Sequence, residues 1–537
     1  MSIILGLLFP LLLVAGIIAI VKAFSGKGEQ GRSEGGDLVA YGLLAIFVGG
    51  LVWALLLLGR AAFPGSGIVG TTRGDLAGAL AGLIVAAPLT YYLWRRQDER
   101  RKEFPGSVGW PLYLALTDAV YLTWLVVYAV LIIAAIFGDN DFPRLTDVLI
   151  IAGVVGFHEW ASRADRPGSN ISQIHRVVGS FIGLTTLAVG LGILLYSLFV
   201  TVYGTFYANA GDPLYDFGIA MTLVGGAVWA WRWLQPWSAE PDGTRLTYLV
   251  FTSYSSMITM VGSATAMAIF VATFLLDRPD SPGSHFEPLT ALLAVLIVSG
   301  LVWWHHRPKL GQQRTDSVRA YEYLLMATGL GAAIGLGTSL VAVVFESDPL
   351  IDSIATVAVS LVLAFTAAAL LWWVFWTKAQ EAPRPPEAAS FPRRFYLMGI
   401  GIILGLTAAG AVVGVLLFIF QALFGLDPET STLVIELTLA VLAGGAAYHL
   451  YSTYKSDSIH RADRTGEAYD LTVITSHPGP LASVLPDEAK LKVIHRGDAI
   501  GAIDDDLAAQ IVEATRGVDS IVWVGEHGFE SAPARKT

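Results

Sequence analysis

The sequence predicts an all-α polytopic membrane protein with about thirteen transmembrane helices, six helical-hairpin repeats, and a small C-terminal α/β soluble domain. Three observations carry this prediction. Of 537 residues, 54% are hydrophobic and only 15% charged, where soluble domains carry about 25% charged residues. Apolar stretches long enough to cross about 30 Å of hydrocarbon recur along the chain. The loops between them alternate between basic and acidic, and mean hydropathy is +0.60.

The N-terminal run before Lys22 has no basic residue ahead of it. Lys22, Lys27 and Arg32 follow it, so it reads as an uncleaved anchor with its N-terminus outside, rather than a signal peptide. Further spans are expected at 38–58, 75–94, 111–137, 147–162, 177–202, 217–234, 246–275, 289–306, 321–345, 353–376, 396–424 and 433–452.

The loop at 95–110 holds Arg95, Arg96, Arg100, Arg101 and Lys102, and the loops near 163–176, 305–319 and 377–394 are also basic. Asp139, Asp141, Asp212, Asp216, Glu346, Asp348 and Asp427 mark the loops between. The positive-inside rule therefore places every second loop and the C-terminus in the cytoplasm. The expected location is the plasma membrane of a prokaryotic cell, crossed many times. The expected divisions are 1–36, an anchor and loop; hairpins 37–108, 109–173, 174–243, 244–316, 317–390 and 391–456; and a cytoplasmic α/β domain, 457–537.

The hairpins begin near Tyr41, Tyr113, Val178, Tyr248, Tyr321 and Tyr396, three of them preceded by Arg245, Arg319 and Arg394. Their second helices end in aromatic clusters that include Trp94, Trp160, Trp229, Trp233, Trp303, Trp304, Trp372, Trp376, Tyr448 and Tyr451. A repeated cofactor or quinone site is one reading of these clusters. An aromatic belt at headgroup level is preferred, because every cluster falls at the same expected membrane face.

This unit, a basic-aromatic start such as Arg393-Arg394-Phe395-Tyr396, a hairpin, then aromatics four apart such as Trp229/Trp233 or Trp372/Trp376, resembles the DUF5671 domain. The likeness is best over 390–455 and fades in the first two hairpins, where the Arg-x-Tyr start is missing. The resemblance implies a membrane domain of bacteria and archaea and carries no activity with it.

Small residues at Gly331/Gly335, Gly401/Gly405 and Gly410/Gly414, with Gly183, Gly190 and Gly192, suggest close packing of the first helices of the hairpins. Asp118 is the one clear ionisable residue deep in a span, with Thr117 and Tyr121 as neighbours. Such a group reads either as an ion or proton site or as a carboxylate bonded to a neighbouring helix, and the second is preferred. Glu436 is expected at the interface. No helix shows a polar stripe. His158, His305, His306 and His449 sit at helix ends and read as interfacial, and no metal site or cofactor is expected. Zero cysteines removes thiol catalysis and disulfides.

Beyond Tyr454, Asp470–Thr475, Lys490–Ile494 and Ser520–Val524 read as strands and Leu507–Glu513 as a helix. Asp504, Asp505 and Asp506 read as helix capping rather than a cation loop. With eight basic and fourteen acidic residues, 457–537 carries −6, which disfavours nucleic acid and suits a protein partner. Partners are then the lipid bilayer and either a protein bound through 457–537 or further copies of the chain.

No nucleophile, base and orienter set is recognisable, so an enzyme is not expected. The expected function is a scaffold or accessory subunit of a larger membrane assembly. The alternatives are a transporter or channel using Asp118, and a membrane sensor that signals through the C-terminal domain.

Overall fold

The computed structural model describes residues 30–63, 72–103, 109–138, 142–163, 174–204, 214–234, 243–311, 313–345, 354–462, 469–475, 481, 489–495, 503–515, 520–525 and 528–533. Twelve long helices run through the described part: α1 (Gln30–Ala62), α2 (Thr72–Glu103), α3 (Gly109–Phe137), α4 (Leu145–Arg163), α5 (Ile174–Gly204) and α6 (Tyr215–Trp233). They continue as α7 (Gly243–Asp277), α8 (Pro288–His306), α9 (Asp316–Phe345), α10 (Ile354–Glu381), α11 (Phe391–Leu423) and α12 (Thr430–Ala462). Each covers one span expected from hydropathy. The anchor expected before Lys22 and the acidic loops at 139–141, 205–213 and 346–353 lie outside the described residues.

Among the described residues eleven helices are long and apolar enough to cross a membrane; the chain is a membrane protein whose membrane part is all-α. Among the twelve, α6 is the one that does not reach that hydropathy. Its 19 residues carry Asp216 in the first turn and Arg232 in the last, and these two charges pull its hydropathy down. Gly183 on α5 sits against the Trp229 backbone of α6, Gly190 against Thr222, Gly225 against Leu187 and Gly218 against Leu194. Each step forward on α5 is matched by an equal step back on α6, as in an antiparallel hairpin whose backbones touch. A Cβ at Gly183, Gly190 or Gly225 would collide with main chain of the facing helix. Such contact needs glycine more than it needs bulk apolar side chains.

The packing expected from GxxxG spacing is corrected elsewhere. A Cβ at Gly331, Gly335, Gly405 or Gly410 would meet nothing within 4 Å among the described residues. The same holds for Gly192. Spacing of four makes a stripe, but only a facing backbone makes a contact. In that region Gly329 takes the role instead, with the Ala368 carbonyl and the Trp372 backbone 2.8 Å from where its Cβ would lie.

Two compact units are distinguished, Met1–Tyr321 with Ser353–Ala364, and Glu322–Asp352 with Phe365–Thr537. In the first, Leu44, Tyr113, Leu122, Ala134 and Ala220 centre a continuous apolar core. In the second, Met326, Tyr396, Leu397, Ala443 and Leu450 form the helical core.

α12 runs past Tyr454 to Ala462, so Asp457 is a helical residue. After it come β1 (Tyr469–Thr475), β2 (Ala489–His495), α13 (Asp505–Thr515), β3 (Ser520–Gly525) and β4 (Gly528–Pro533). The sheet order is β2-β1-β3-β4. β1 pairs in parallel with β2 and β3, and β4 returns antiparallel to β3, with Gly525 opposite Gly528. β4, absent from the sequence reading, is therefore the second arm of a tight hairpin. Asp504 caps α13, its Oδ1 accepting the Leu507 N–H at 2.8 Å. Leu471, Val473, Ala508, Ile511 and Val522 fill the space between helix and sheet.

Candidate functional site

Asp118 is not alone. It opens a short π-helical turn, Asp118–Leu122, within α3, a feature that widens a helix and re-aims its side chains. Its carboxylate lies 3.1 Å from Nη2 of Arg232, near the end of α6. Nη1 of the same guanidinium donates to Glu159 of α4 at 2.7 Å. Arg232 is 2% exposed and Asp118 6%. Three helices thus meet in one charge cluster, Asp118–Arg232–Glu159.

Gly179 on α5 makes the room for it: a Cβ there would lie 2.9 Å from Arg232 Cγ and Nε. The Trp231 ring closes the cluster, with its centroid 4.1 Å from the guanidinium carbon. Of the expected helpers, Thr117 donates back to the Leu114 carbonyl at 2.8 Å. The Tyr121 hydroxyl lies against Gly49.

A second cluster stands in the other unit. Arg393 on α11 binds the Asp457 carboxylate with Nε and Nη2, at 2.6 and 3.2 Å, and donates to the Tyr323 hydroxyl at 3.2 Å. Tyr323 donates in turn to Glu387 at 2.7 Å. Lys378 on α10 pairs with Glu322 on α9. Arg393, Asp457, Glu387 and Glu322 are all at most 1% exposed. The sequence reading missed these residues as a group, having placed Arg393 in a basic loop and Asp457 in the soluble tail.

The aromatic clusters divide between two faces. Trp160, Trp304, Tyr448 and Tyr451 are exposed, the outward set expected of a belt. Trp94, Trp229, Trp303 and Trp372 are half-buried. Trp233 and Trp376, at 5% and 7% exposed, depart from the expected belt and pack inward, because residues one or two apart on a helix point to different sides. The indoles of Trp229, Trp303 and Trp372 donate to the hydroxyls of Tyr248, Tyr321 and Tyr396, at 3.3, 3.0 and 3.0 Å. Three of the tyrosines that mark hairpin starts, Tyr248, Tyr321 and Tyr396, are therefore buried hydrogen-bond acceptors.

The inward aromatics recur in sets. Tyr41 lies 5.9 Å from Tyr113 and Trp94 lies 6.5 Å from Tyr113. Tyr323 lies 5.2 Å from Tyr396 and Trp376 lies 6.5 Å from Tyr396. Phe181, Trp233 and Tyr248 form a comparable set, with separations of 4.7 and 4.8 Å from Tyr248. One turn before the central tyrosine stands Trp110, Arg245 or Arg393. Arg245 and Arg393 each lie over the set's tryptophan, at 5.5 and 6.0 Å, and Trp110 meets Trp94 at 5.7 Å.

Two sets also share a histidine: His158 Nε2 is 2.6 Å from Tyr113 Oη and His306 Nε2 is 3.3 Å from Tyr248 Oη. Nδ1 of each bonds the carbonyl four residues back, Val154 or Val302. His305 and His449 instead meet the rings of Trp229 and Trp376 edge-on, at 5.3 and 5.2 Å.

Two further features depart from expectation. α7 carries a buried row of hydroxyls, Thr252, Ser253, Ser256 and Ser263, where no polar stripe was expected. Glu436 folds over Gly414, whose Cβ would lie 2.6 Å from its carboxyl carbon. Among the described residues no three His, Asp or Glu side chains gather as a metal site.

Comparison with known proteins fits the geometry of these sets. No curated protein and no solved structure matches the chain. A family model described as Domain of unknown function (DUF5671) matches twice, over residues 37–158 and 319–446. The first match covers both of the first two hairpins and so corrects the expectation that the likeness fades there. Each match spans four helices, α1–α4 and α9–α12, so the chain resembles the DUF5671 family through a domain that it carries twice.

Proposed function

We propose that the protein is a non-enzymatic membrane scaffold or accessory subunit, built from three four-helix units. The observation that carries this reading is the pairing of Asp118 with Arg232. The carboxylate deep in α3 is paired with an arginine on another helix of the same chain, which also binds Glu159 of α4. A carboxylate held in this way clamps helices together, whereas a transport site needs a group that exchanges its partner. The Arg393–Asp457 and Lys378–Glu322 pairs support the same reading.

The three units are α1–α4, α5–α8 and α9–α12. The two family matches support the outer ones, and the Phe181–Trp233–Tyr248–His306 set supports the middle one, which lies outside both matches. Each unit is two of the six expected hairpins. All begin and end at the cytoplasmic face of a prokaryotic plasma membrane, so each threads the membrane in the same direction, a reading that the alternation of basic and acidic loops supports. With the leading anchor, this makes thirteen spans. The strands and helix beyond Ala462 form the cytoplasmic α/β domain, whose acidic surface is the partner-binding face.

The experiment is paired. Deleting 463–537, which spares Asp457 and its bond to Arg393, is expected to release a co-purifying protein, while Asp118→Asn leaves partner binding unchanged. A second reading, ion transport, is favoured by one observation, the π-turn that begins at Asp118. It predicts ion flux in proteoliposomes that Asp118→Asn abolishes and the tail deletion spares. That result would overturn the scaffold reading.

A further inference from the structure

Between the first turns of α11 and the last turns of α12 lies an apolar groove of about 420 Å³, within the size range of small-molecule sites. Leu397, Met398, Gly401 and Ile402 form one wall. Ala447, Tyr448, Tyr451 and Tyr454 form the other. Met398, Ile402, Tyr448 and Tyr451 are 45–73% exposed, so the groove opens outward from the helix pair.

Two cations stand at one end of it. Arg394 is one turn before Met398 on α11, and Lys455 is one turn after Tyr451 on α12. The i, i+4 relation puts each on the groove face of its own helix. They also lie at the same height. The antiparallel contacts of α11 with α12, Arg393 with Asp457 and Gly401 with Leu450, bring residue 394 level with the turn that holds residue 455. Both side chains are exposed, and neither forms an ion pair among the described residues. Their neighbours differ in this respect: Arg393 is bound by Asp457 and Lys378 by Glu322.

We propose that this groove is a binding site for an anionic phospholipid. One acyl chain lies along Gly401, Ile402 and Ala447, and the headgroup phosphate is held by Arg394 and Lys455. The geometry matches the ligand in order. Apolar walls face the hydrocarbon, tyrosine rings stand at the depth where amphipathic aromatics settle, and two unpaired cations lie just beyond, where an anionic headgroup sits. A soluble phosphate would have no use for the apolar walls, and in a zwitterionic lipid the choline cation is repelled by the same two cations that would hold its phosphate. Gly401 leaves the groove floor open, since a Cβ there would meet only the Leu450 Cβ at 3.7 Å.

The test is native mass spectrometry of the purified full chain, titrated with phosphatidylglycerol or phosphatidylcholine of identical acyl chains. Retention of the anionic lipid is expected to exceed that of the neutral one by roughly tenfold. Arg394→Gln with Lys455→Gln should reduce it to the neutral level, while Arg394→Lys with Lys455→Arg should keep it. Gly401→Leu, which fills the groove, should remove both lipids. Because Arg394 and Lys455 are exposed, the charge variants should keep the wild-type thermal midpoint. Equal retention of the two lipids by the native protein would overturn the proposal, as would wild-type selectivity in the glutamine pair. Displacement of the anionic lipid by millimolar inorganic phosphate alone would reassign the two cations to a soluble anion and also overturn it.

Discussion

Arg232 holds two carboxylates that belong to two other helices, and its own burial leaves it no water to fall back on. Removing one member of a buried ion cluster strands the others, at a cost of about 3–5 kcal/mol. Arg232→Met should therefore lower the thermal midpoint in detergent far more than Asp118→Asn. The asparagine keeps a hydrogen-bond acceptor for Arg232 and leaves its pairing with Glu159 intact. Equal midpoints for Arg232→Met and the native protein would show that the cluster holds nothing together. At the other end of the chain, Asp504→Ala removes the cap of α13 and should cost about 1 kcal/mol. The readout is faster hydrogen exchange at the Leu507 amide, with exchange in β1 little changed.

At the scale of elements, the closest helix pair is α5 with α6, where glycines on both sides bring the backbones into contact. Gly183→Val or Gly225→Val should force the hairpin apart and cost about 3 kcal/mol or more, the range of severe overpacking. Gly192→Val and Gly335→Val point into open space and should shift the midpoint by less than about 0.5 kcal/mol. Comparing the four variants in one thermal-melt series separates contact from mere glycine content. If Gly335→Val were as damaging as Gly183→Val, the spacing motif would outrank the facing backbone. The Trp-to-Tyr bonds tie each helix end to the start of the next hairpin, so Trp372→Phe should loosen Tyr396 while leaving α10 helical.

For the whole molecule, three parallel four-helix units require corresponding helix ends to share a membrane face. The chain contains no cysteine, so single cysteines report cleanly. Those replacing Glu99, Glu381 and Ser456 should react only with reagents that cross the membrane, and one replacing Phe142 should react from outside intact cells. Labelling of Glu99→Cys and Glu381→Cys from opposite faces would mean inverted units and defeat the arrangement. The same labelling locates 463–537 and so bears on which compartment supplies its partner.

Eleven of the twelve long helices were legible in the sequence as continuous apolar runs, which solvation by lipid demands whatever the helix packs against. The remaining one, α6, was legible as the shorter apolar stretch between Asp216 and Arg232. Three strands and the cap of α13 were legible for a similar local reason. The family likeness was legible too, though Arg-x-Tyr marks it less widely than the match does, which extends over the first two hairpins where that motif is missing. The tertiary structure alone decided what the charges do. Asp118 and Arg232 stand 114 residues apart, and Arg393 and Asp457 stand 64 apart. Nothing local distinguishes a carboxylate that waits for an ion from one already bound by a neighbouring helix. That distinction depends on which helix faces it, and the facing is set by where glycines allow backbones to meet.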